Sequence, residues 1–564
     1  MAAIIADNII SPLGFTTEAN FEAVMLGESS LNHYDGMKGI PFPFTASLFS
    51  GEQKGELLIE GYTFFESLAI RSIKSALNNL SLSFNERVIL IISSTKLNID
   101  LLKEGNNKED ITAPGITAKK IADAIGITTM PIVVCNACIS GTSAMILGNR
   151  LLELGLYDHA IVCGVDVQSP FIMSGFQSFK ALSEEPCRPF DIERLGLNLG
   201  EGAATVILSR LSEKDCTKWN IKKGITRNDA FHTTSPSPQG EGCLKAIKDV
   251  IENIDIDCIA QINAHGTATM YNDQMESKAI SRAGLSQIPV NALKGYYGHT
   301  MGAAGILETI LTMHSIDKGI ILGTRGFEEI GVSGKVNVIA NNTDTPKKDF
   351  IKIISGFGGC NAAMHLNCTN SNDIVQTMPD LHIVHKLYIN PNNVEIDGIN
   401  QNIDSRGFGL LNYLYKNKVI NYPKYYKMDG LSQLGLIATE ILLEHEGKQR
   451  FVECENRAIV FFNKNASNHA DKRYLKTILD EENFYPSPSE FVYTLPNIVN
   501  GEIAIRNKYN GETCFYVLPE KNIKLMNEIL QTTFHDSKME SILTGWIEYL
   551  SDEDFEAELF IIKK

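Results

Sequence analysis

The chain has 564 residues, of which 44% are hydrophobic, and a formal net charge of −16 from 51 Lys and Arg against 67 Asp and Glu. At about 100 to 200 residues per domain, this length predicts three or four domain-sized units with ordinary cores. The negative charge argues against binding to nucleic acid or to an anionic membrane surface. Eleven cysteines scattered through a long chain indicate reduced thiols rather than a disulfide framework.

The sequence carries no pattern typical of targeting or membrane insertion. Residues 1–7 lack a basic stretch and end in an acid, Asp7, which argues against a secretory signal. No apolar run approaches the roughly 18 residues that a helix needs to cross a bilayer. We therefore expect a cytoplasmic protein with neither a membrane nor a nucleic acid as partner.

The first 368 residues alternate strand-like and helical patterns. Helical spacing of apolar residues predicts helices over 66–80 and 116–125, and short β-branched runs predict buried strands at 87–93 and 131–135. Strands that alternate with helices favour a mainly parallel sheet covered on both faces. The sequence therefore predicts an α/β fold.

The end of the chain resembles its beginning. A polar, turn-rich segment at 369–379 predicts a linker. After it, the same order of patterns recurs, namely helical 431–445, strand-like 457–462, helical 498–507 and strand-like 541–548. This repetition predicts that residues 380–564 form a third unit related to the first.

Cys138 stands at a predicted strand-to-helix turn, in Asn136-Ala-Cys-Ile-Ser-Gly141. The free N–H groups and positive end of the following helix would stabilise a thiolate that attacks a thioester or acyl carbon. The spacing Cys135-x-x-Cys138 also permits a redox pair or zinc ligation, but no second cysteine pair has finger spacing. A buried packing cysteine is the remaining alternative.

Two histidines lie in glycine-rich loops. His265 follows an apolar strand-like run at 259–262, and His299 precedes a helical pattern. Each alone is more typical of a structural residue, but two such loops beside an activated cysteine predict a catalytic cluster. The Gly-Phe-Gly-Gly turn at 356–359 is a plausible source of a backbone N–H directed at an oxyanion.

Together these segments resemble the elongating β-ketoacyl-acyl-carrier-protein synthases of the thiolase superfamily. The resemblance covers residues 1 to about 368. It rests on these motifs, in the family's order: Asn136-Ala-Cys-Ile-Ser-Gly141, Arg188-Pro-Phe-Asp191, Gly200-Glu-Gly-Ala203, Asn263-Ala-His-Gly-Thr267, Lys294-Gly-Tyr-Tyr-Gly-His299 and Gly356-Phe-Gly-Gly359. It implies the thiolase fold, two stacked βαβαβαββ halves at about 1–215 and 216–368 with layered mixed sheets and the active site between them.

The resemblance also implies the chemistry, a decarboxylating Claisen condensation of acyl-acyl-carrier protein with malonyl-acyl-carrier protein. Cys138 would accept the acyl group, and His265 and His299 would stabilise the enolate oxygen formed as carbon dioxide leaves. The N–H groups of Cys138 and Phe357 would form the oxyanion hole, with the Phe357 ring gating access of the acyl chain.

Four further residues receive roles from the same resemblance. Lys294 and Glu308 would organise the charges of the site. Thr267 and Thr269 would line the tunnel for phosphopantetheine, which arrives on the acyl carrier protein. The resemblance therefore implies no metal and no cofactor of the enzyme's own.

Related classes fit less well. A degradative thiolase needs a second catalytic cysteine in a late glycine-rich loop, for which Cys360 is the nearest candidate, and a chain-initiating synthase has Asn at the second histidine. A non-condensing partner, acting as a chain-length or decarboxylase subunit, is the alternative function, and a cysteine hydrolase is a third. Bulky Ile139, Tyr296 and Tyr297 leave the acyl chain and the pathway, fatty acid or polyketide and polyene, open.

Residues 380–564 resemble the N-terminal half of the same synthases more weakly. Pro519 falls where the repeat aligns with Cys138, and no counterparts of the histidine loops follow, which predicts a catalytically silent half-unit. Three roles are open for this half-unit. It would pack against the synthase as a partner subunit does, or cover a surface near the acyl tunnel, or serve only to increase solubility.

The expected partners are an acyl carrier protein and either a second copy of the chain, in a homodimer, or a ketosynthase-type partner, in a heterodimer. Because the carrier is acidic, we expect a local basic docking face. Lys119, Lys120 and Arg150 are the candidates for that face.

Overall fold

The computed structural model describes residues 2–37, 39–78, 80–103, 112–210, 218–368, 377–419, 421–480 and 484–564. The strands up to residue 368 are β1 (Ala2–Ile10), β2 (Asn32–Tyr34), β3 (Phe44–Ser47), β4 (Val88–Ser93), β5 (Ile132–Val134), β6 (His159–Asp166), β7 (Leu199–Gly200), β8 (Gly202–Arg210), β9 (Asn220–Asn228), β10 (Ile259–Asn263), β11 (Pro289–Asn291), β12 (Ile320–Ile321), β13 (Asn337–Val338), β14 (Thr343–Asp344), β15 (Asp349–Gly356) and β16 (Cys360–Asn367).

The later strands are β17 (His382–Asn390), β18 (Asn393–Ile396), β19 (Ile399–Asn400), β20 (Arg457–Asn463), β21 (Thr513–Val517), β22 (Ser541–Ser551) and β23 (Asp554–Lys563). The helices are α1 (Thr17–Met25), α2 (Gly51–Leu57), α3 (Phe64–Leu77), α4 (Pro114–Ile125), α5 (Ser140–Glu153), α6 (Pro170–Ser178), α7 (Glu241–Val250), α8 (Met270–Arg282), α9 (Lys294–Tyr297), α10 (Ala304–Asp317), α11 (Gly407–Lys418), α12 (Gly430–Glu446), α13 (Asn468–Leu475), α14 (Pro488–Tyr493), α15 (Ile498–Asn507) and α16 (Ile523–Thr533).

Three mixed sheets share one topology. The first has the order β5-β4-β6-β8-β1, in which β4 is parallel to both neighbours and β8 is antiparallel to both of its own. The second, β11-β10-β15-β16-β9, and the third, β21-β20-β22-β23-β17, repeat these directions strand by strand. The α/β fold class is confirmed, including an additional half, and we call the described residues from 377 onward the third unit.

Local sequence rules explain the elements that lead to the site. The apolar run of β4 is buried throughout, as expected for a central parallel strand. Helix α4 starts with Pro114 in its first turn and ends at Gly126, whose left-handed φ of 91° suits a C-cap. The strand and helix predictions around 87–93, 131–135, 66–80 and 116–125 are thereby confirmed to within a few residues.

Helices α5 and α10 pack against each other and contact strands of both the first and the second sheet. Their starts approach so closely that a Cβ on Gly141 would lie 2.7 Å from the Gly302 carbonyl oxygen. A Cβ on Gly305 would lie 2.4 Å from Thr142 Oγ1. Glycine at these two positions therefore allows the loops preceding both helices to meet between the sheets.

The third unit joins the first sheet through its edge strand. β21 pairs antiparallel with β5, with Tyr516 opposite Val134 and Val517 opposite Val133. The apolar core of the first sheet continues across this pairing into the third unit. Residues 211–217 and 369–376 are outside the described part of the chain, so the boundaries near 215 and 368 and most of the linker 369–379 stay predictions.

No helix in the described ranges is long and apolar enough to cross a membrane.

Arg150 on α5 ties the first sheet to the third unit. Its Nη1 donates hydrogen bonds to both carboxylate oxygens of Glu512, at 3.1 and 2.9 Å, and its Nη2 donates to the Gly224 carbonyl at 3.1 Å. Both charged side chains are 4% exposed. The prediction that Arg150 belongs to a docking face is therefore wrong, because its guanidinium is enclosed by these partners.

We expect Glu512→Ala to destabilise the protein strongly, because it leaves the buried Arg150 charge without its carboxylate. Breaking a buried ion pair from one side typically costs about 3–5 kcal/mol. The midpoint of urea unfolding, followed by circular dichroism, measures this change.

Asp123→Ala is the matched control, because it removes the partner of exposed Lys119, 2.7 Å away. An exposed pair of this kind is worth less than about 1 kcal/mol. Equal effects of the two substitutions would contradict a stabilising role for the buried pair.

Candidate active site

Cys138 lies in a tight turn between β5 and α5. The turn spans Ala137–Ile139, and Ala137 adopts a left-handed φ of 49°. Ser140 closes it, because its hydroxyl accepts a hydrogen bond from the Asn136 N–H at 2.8 Å and donates to the Ala137 carbonyl at 2.6 Å. The thiol is thereby fixed at the predicted strand-to-helix junction.

The third unit supports the same turn from its other side. The Cys135 N–H donates to the Phe515 carbonyl at 3.1 Å, and Asn136 Nδ2 donates to the Thr513 carbonyl at 3.0 Å. Cys135 itself is buried, so it packs in the core. The contacts show that the turn carrying Cys138 depends on strand β21.

The structure brings both predicted histidines to Cys138. Sγ of Cys138 and one ring nitrogen each of His265 and His299 lie within 4.8 Å of one another. The two imidazole rings are 5.0 Å apart between centroids and nearly perpendicular, at 79°. A nucleophile and two potential N–H donors therefore converge on one point, as the sequence predicted.

Both imidazoles are held in the neutral form. Burial lowers the pKa of His265 and His299 well below the usual value of 6.5, and the nearby Lys294 and Lys352 lower it further. Nδ1 of His299 accepts the Met301 N–H at 3.2 Å, so in the neutral ring the proton is on Nε2. Nε2 of His299 has no protein partner among the described residues and is free to donate to a substrate oxygen.

The Cys138 thiol is protonated at rest. Desolvation raises its pKa to about 12, and the positive charge of Lys294 opposes this only in part. The expected stabilisation of a resting thiolate by the helix terminus is therefore outweighed by burial. To act as a nucleophile, the Cys138 thiol would have to lose its proton during the attack.

Glu308 bridges two buried lysines next to the histidines. Its Oε1 accepts from Lys294 Nζ at 2.6 Å, and its Oε2 accepts from Lys352 Nζ at 2.5 Å. Lys294 also donates to the His265 carbonyl at 2.6 Å. The predicted pair of Lys294 and Glu308 is thus joined by a third charge, and the network leaves a net positive charge near both rings.

Sequence reasoning missed Lys352, although its position carried a signal. It is a single charge in the apolar run 350–354 of β15, and a buried charge in such a strand needs a partner. Burial lowers its pKa to about 8 despite the attraction of Glu308.

Two more carboxylates without a predicted role shape the histidine loops. Glu276 accepts the N–H groups of His265 and Gly266 at 2.7 and 2.8 Å. Asp166 accepts the Gly302 N–H at 2.6 Å and holds the loop that follows His299. Because the two carboxylates accept these backbone N–H groups, they hold in place the loops that carry the His265 and His299 rings.

A cavity of about 250 Å³ leads to Cys138 and the two histidines. Thr267 and Thr269 line it, with their hydroxyls 2.9 Å apart. Phe357 also lines this cavity, which we call the outer cavity, and a second one of about 20 Å³, which we call the inner cavity. Cys138 and Phe176 line both cavities as well, so these three residues border the two spaces.

Phe357 and its turn are also held by the third unit. Asn497 Nδ2 donates to the Phe357 carbonyl at 2.8 Å. The preceding Gly356 is so close to Cys138 that a Cβ there would lie 3.2 Å from the Cys138 nitrogen. The turns that carry the amides of residues 138 and 357 are thus adjacent, and both contact the third unit.

Phe491 and Leu495 of the third unit form part of the inner cavity wall. The Phe491 ring packs against Phe176 at 5.8 Å between centroids, and it contacts Gly175, where a Cβ would lie 2.1 Å from the ring. These two residues could not be assigned to the site from the sequence, because their contribution depends on how the third unit docks.

Comparisons with known proteins agree with this architecture. The family models of the β-ketoacyl synthase N-terminal and C-terminal domains match residues 97–214 and 220–328. The chain is 26% identical over 403 residues to 3-oxoacyl-[acyl-carrier-protein] synthase 2 of Vibrio cholerae, covering 63% of this chain and 96% of the relative. It is 32% identical over 273 residues to the tetracenomycin polyketide synthase ketoacyl synthase alpha subunit of Streptomyces glaucescens, covering 45% of this chain and 64% of that subunit.

Solved structures extend the similarity to the third unit. The PfaC keto synthase–chain length factor matches 100% of this chain and 78% of its own, with a TM-score of 0.75 and 15% identity. The Xenorhabdus doucetiae ketosynthase ApeO, solved in complex with its chain length factor ApeC, matches 65% of this chain and 98% of its own, with a TM-score of 0.55 and 23% identity. These likenesses show the fold.

Fold and site together define a thiolase-fold protein with a cysteine and two histidines between its halves. The chain belongs to the β-ketoacyl synthase family. The resemblance stated from its motifs is thereby confirmed.

We expect the rings of His265 and His299 to stay neutral from pH 8 down to about pH 6, the range in which an exposed imidazole gains its proton, because burial and two nearby lysines lower their pKa. Carbon–proton NMR spectra of the histidine ring positions measure this, with His265→Ala and His299→Ala for assignment. A ring shift that titrates with a midpoint near 6.5 in either residue would contradict the effect of burial.

Proposed function

We propose that the protein is a 3-oxoacyl-acyl-carrier-protein synthase, which joins acyl and malonyl units with loss of carbon dioxide. The observation that carries this proposal is the convergence of the Cys138 thiol with two neutral imidazoles on the wall of one cavity. Family membership supports the same reaction class. The pathway would be fatty-acid synthesis or a specialised lipid or polyene route.

In the first half-reaction, Cys138 Sγ attacks the carbonyl carbon of the acyl thioester. The Sγ–C bond forms, the bond to the carrier's phosphopantetheine sulfur breaks, and that sulfur leaves as a thiol with the proton lost by Cys138. The amides of Cys138 and Phe357 would stabilise the tetrahedral oxyanion, since the turns that carry them are adjacent.

In the second half-reaction, the malonyl thioester loses carbon dioxide and its carbonyl oxygen gains enolate charge. The N–H groups of His265 and His299 would donate to that oxygen, helped by the net positive network of Lys294, Glu308 and Lys352. The enolate carbon then attacks the Cys138 thioester, a carbon–carbon bond forms, and the Cys138 sulfur departs.

The outer cavity fits the arm that delivers both substrates. Thr267 and Thr269 offer hydroxyls to the amides of a phosphopantetheine chain that arrives on an acyl carrier protein. These roles require neither a metal nor a cofactor of the enzyme's own. Lys119 and Lys120 remain the predicted docking residues for the acidic carrier, and a cytoplasmic location remains a prediction.

We further propose that the third unit acts as a silent partner subunit fused to the synthase. β21 occupies the free edge of β5, and the loop that follows it, residues 518–522, contains Pro519 and neither cysteine nor histidine. Its Phe491 and Leu495 would close the acyl pocket and limit chain length. Further association into a homodimer would have to use another surface, since this edge is taken.

Mass spectrometry of the intact protein after incubation with acyl-carrier protein tests the acyl transfer. We expect the wild type to gain one acyl mass and Cys138→Ala to gain none, because the transfer needs the thiol. Cys258→Ser, which removes an exposed cysteine, is the matched control and should acylate like the wild type.

His299→Ala should still acylate but lose about 100-fold or more in malonyl decarboxylation, the usual cost of removing an oxyanion donor. A wild type that never gains an acyl mass would contradict the synthase proposal. It would favour a non-condensing partner, the alternative that the sequence left open.

Phe491→Ala should lengthen the acyl products, because removing the ring enlarges the inner cavity beside Phe176. Product chains released from the carrier are measured by mass spectrometry. Phe484→Ala is the control, since Phe484 packs on Phe42 and does not line the inner cavity. Unchanged product length in Phe491→Ala would contradict a limiting role of the third unit.

A further inference from the structure

Three side chains converge on the surface of the third unit. They are His385 on β17, Asp397 in the turn between β18 and β19, and His445 in the last turn of α12. Nδ1 of His385 is 3.1 Å from Asp397 Oδ2, and Nε2 of His445 is 2.8 Å from the same oxygen. We propose that these three residues bind a divalent transition-metal ion.

The spacing of the ligand atoms fits a metal. Bonds of about 2.0–2.2 Å place neighbouring tetrahedral or octahedral donors roughly 3 Å apart. Both measured separations are near this value, and all three ligand atoms lie within 4.8 Å of one another. Small adjustments of the rings would therefore make room for an ion.

The chemistry of the ligands selects the kind of ion. Two imidazoles and one carboxylate suit zinc, copper, nickel or ferrous iron, whereas magnesium and calcium need mostly oxygen ligands. The side chains are 23% (His385), 37% (Asp397) and 41% (His445) exposed, so water can complete the coordination. Zinc is the simplest probe, because it accepts four ligands without redox chemistry.

The carboxylate is held in position by its turn. Asp397 and Gly398 have left-handed φ values of 49° and 81°, as in the Asp-Gly turns that join short hairpins. The Asp397 N–H donates to the Lys386 carbonyl at 2.9 Å, and its Oδ1 accepts the Lys386 N–H at 2.8 Å. This arrangement leaves Oδ2 directed at the two histidines.

The charges also favour a cation. The Asp397 carboxylate lies between the two imidazoles, so an anionic ligand faces both ring nitrogens. His445 lies at the C-terminal end of α12, where the helix dipole is negative and attracts positive charge.

Calorimetric titration of the full-length protein with zinc chloride tests the proposal. We expect the wild type to bind one more zinc ion than His385→Gln/His445→Gln. Asp397→Asn keeps a residue that suits the turn, and we expect it to lower the affinity at least about tenfold, since even outer partners of metal ligands cost 10- to 100-fold. His382→Gln, on the same strand and also exposed, should bind like the wild type.

Cys138, His265 and His299 also have ligand spacing, so the titration is repeated in Cys138→Ala. The proposed site must still bind zinc in that background, and far-UV circular dichroism must show that every variant is folded. Equal zinc binding by wild type and the double variant, or no saturable binding by either, would overturn the proposal. Neither result depends on synthase activity, so failure of the metal-site proposal and failure of the synthase proposal can be told apart.

Discussion

The active site depends on the close contact between the starts of helices α5 and α10. Gly141 and Gly305 allow the two helices to approach until backbone touches backbone. The contact brings the turn with Cys138, which belongs to the first sheet, against the loop with His299, which belongs to the second. A side chain at either glycine would clash with the facing helix start, so the two helix starts would have to move apart.

The residues of the candidate site could be predicted because they lie in short polar loops after apolar strands. The strands that precede His265 and His299, β10 and β11, are parallel neighbours and end at a common edge. Cys138 follows a strand of the other sheet, and its approach to the histidines was expected from the motif order, which implies an active site between the two halves. The α/β fold and its third copy could be predicted for the same reason, because strand and helix patterns recur in order along the chain.

Other features could not be predicted, because they depend on contacts between distant segments. Arg150 stands on a helix, where a charge usually faces solvent, and only the docked third unit supplies Glu512 as its buried partner. Lys352 belongs to an apolar strand, and its partner Glu308 is supplied by α10, which packs against that strand only in the folded protein. Phe491 and Asn497 reach the site through the pairing of β21 with β5.

The pairing of β21 with β5 also determines how the third unit associates with the first sheet. Separate subunits associate according to their concentrations, and an unequal supply of either leaves exposed strand edges that can pair with the wrong chain. Here the edge of β5 is covered by a strand of the same polypeptide. Association is then intramolecular, its effective concentration is set by the connecting chain, and dilution does not reverse it. Every translated copy carries its own wall for the inner cavity, in a fixed ratio of one to one.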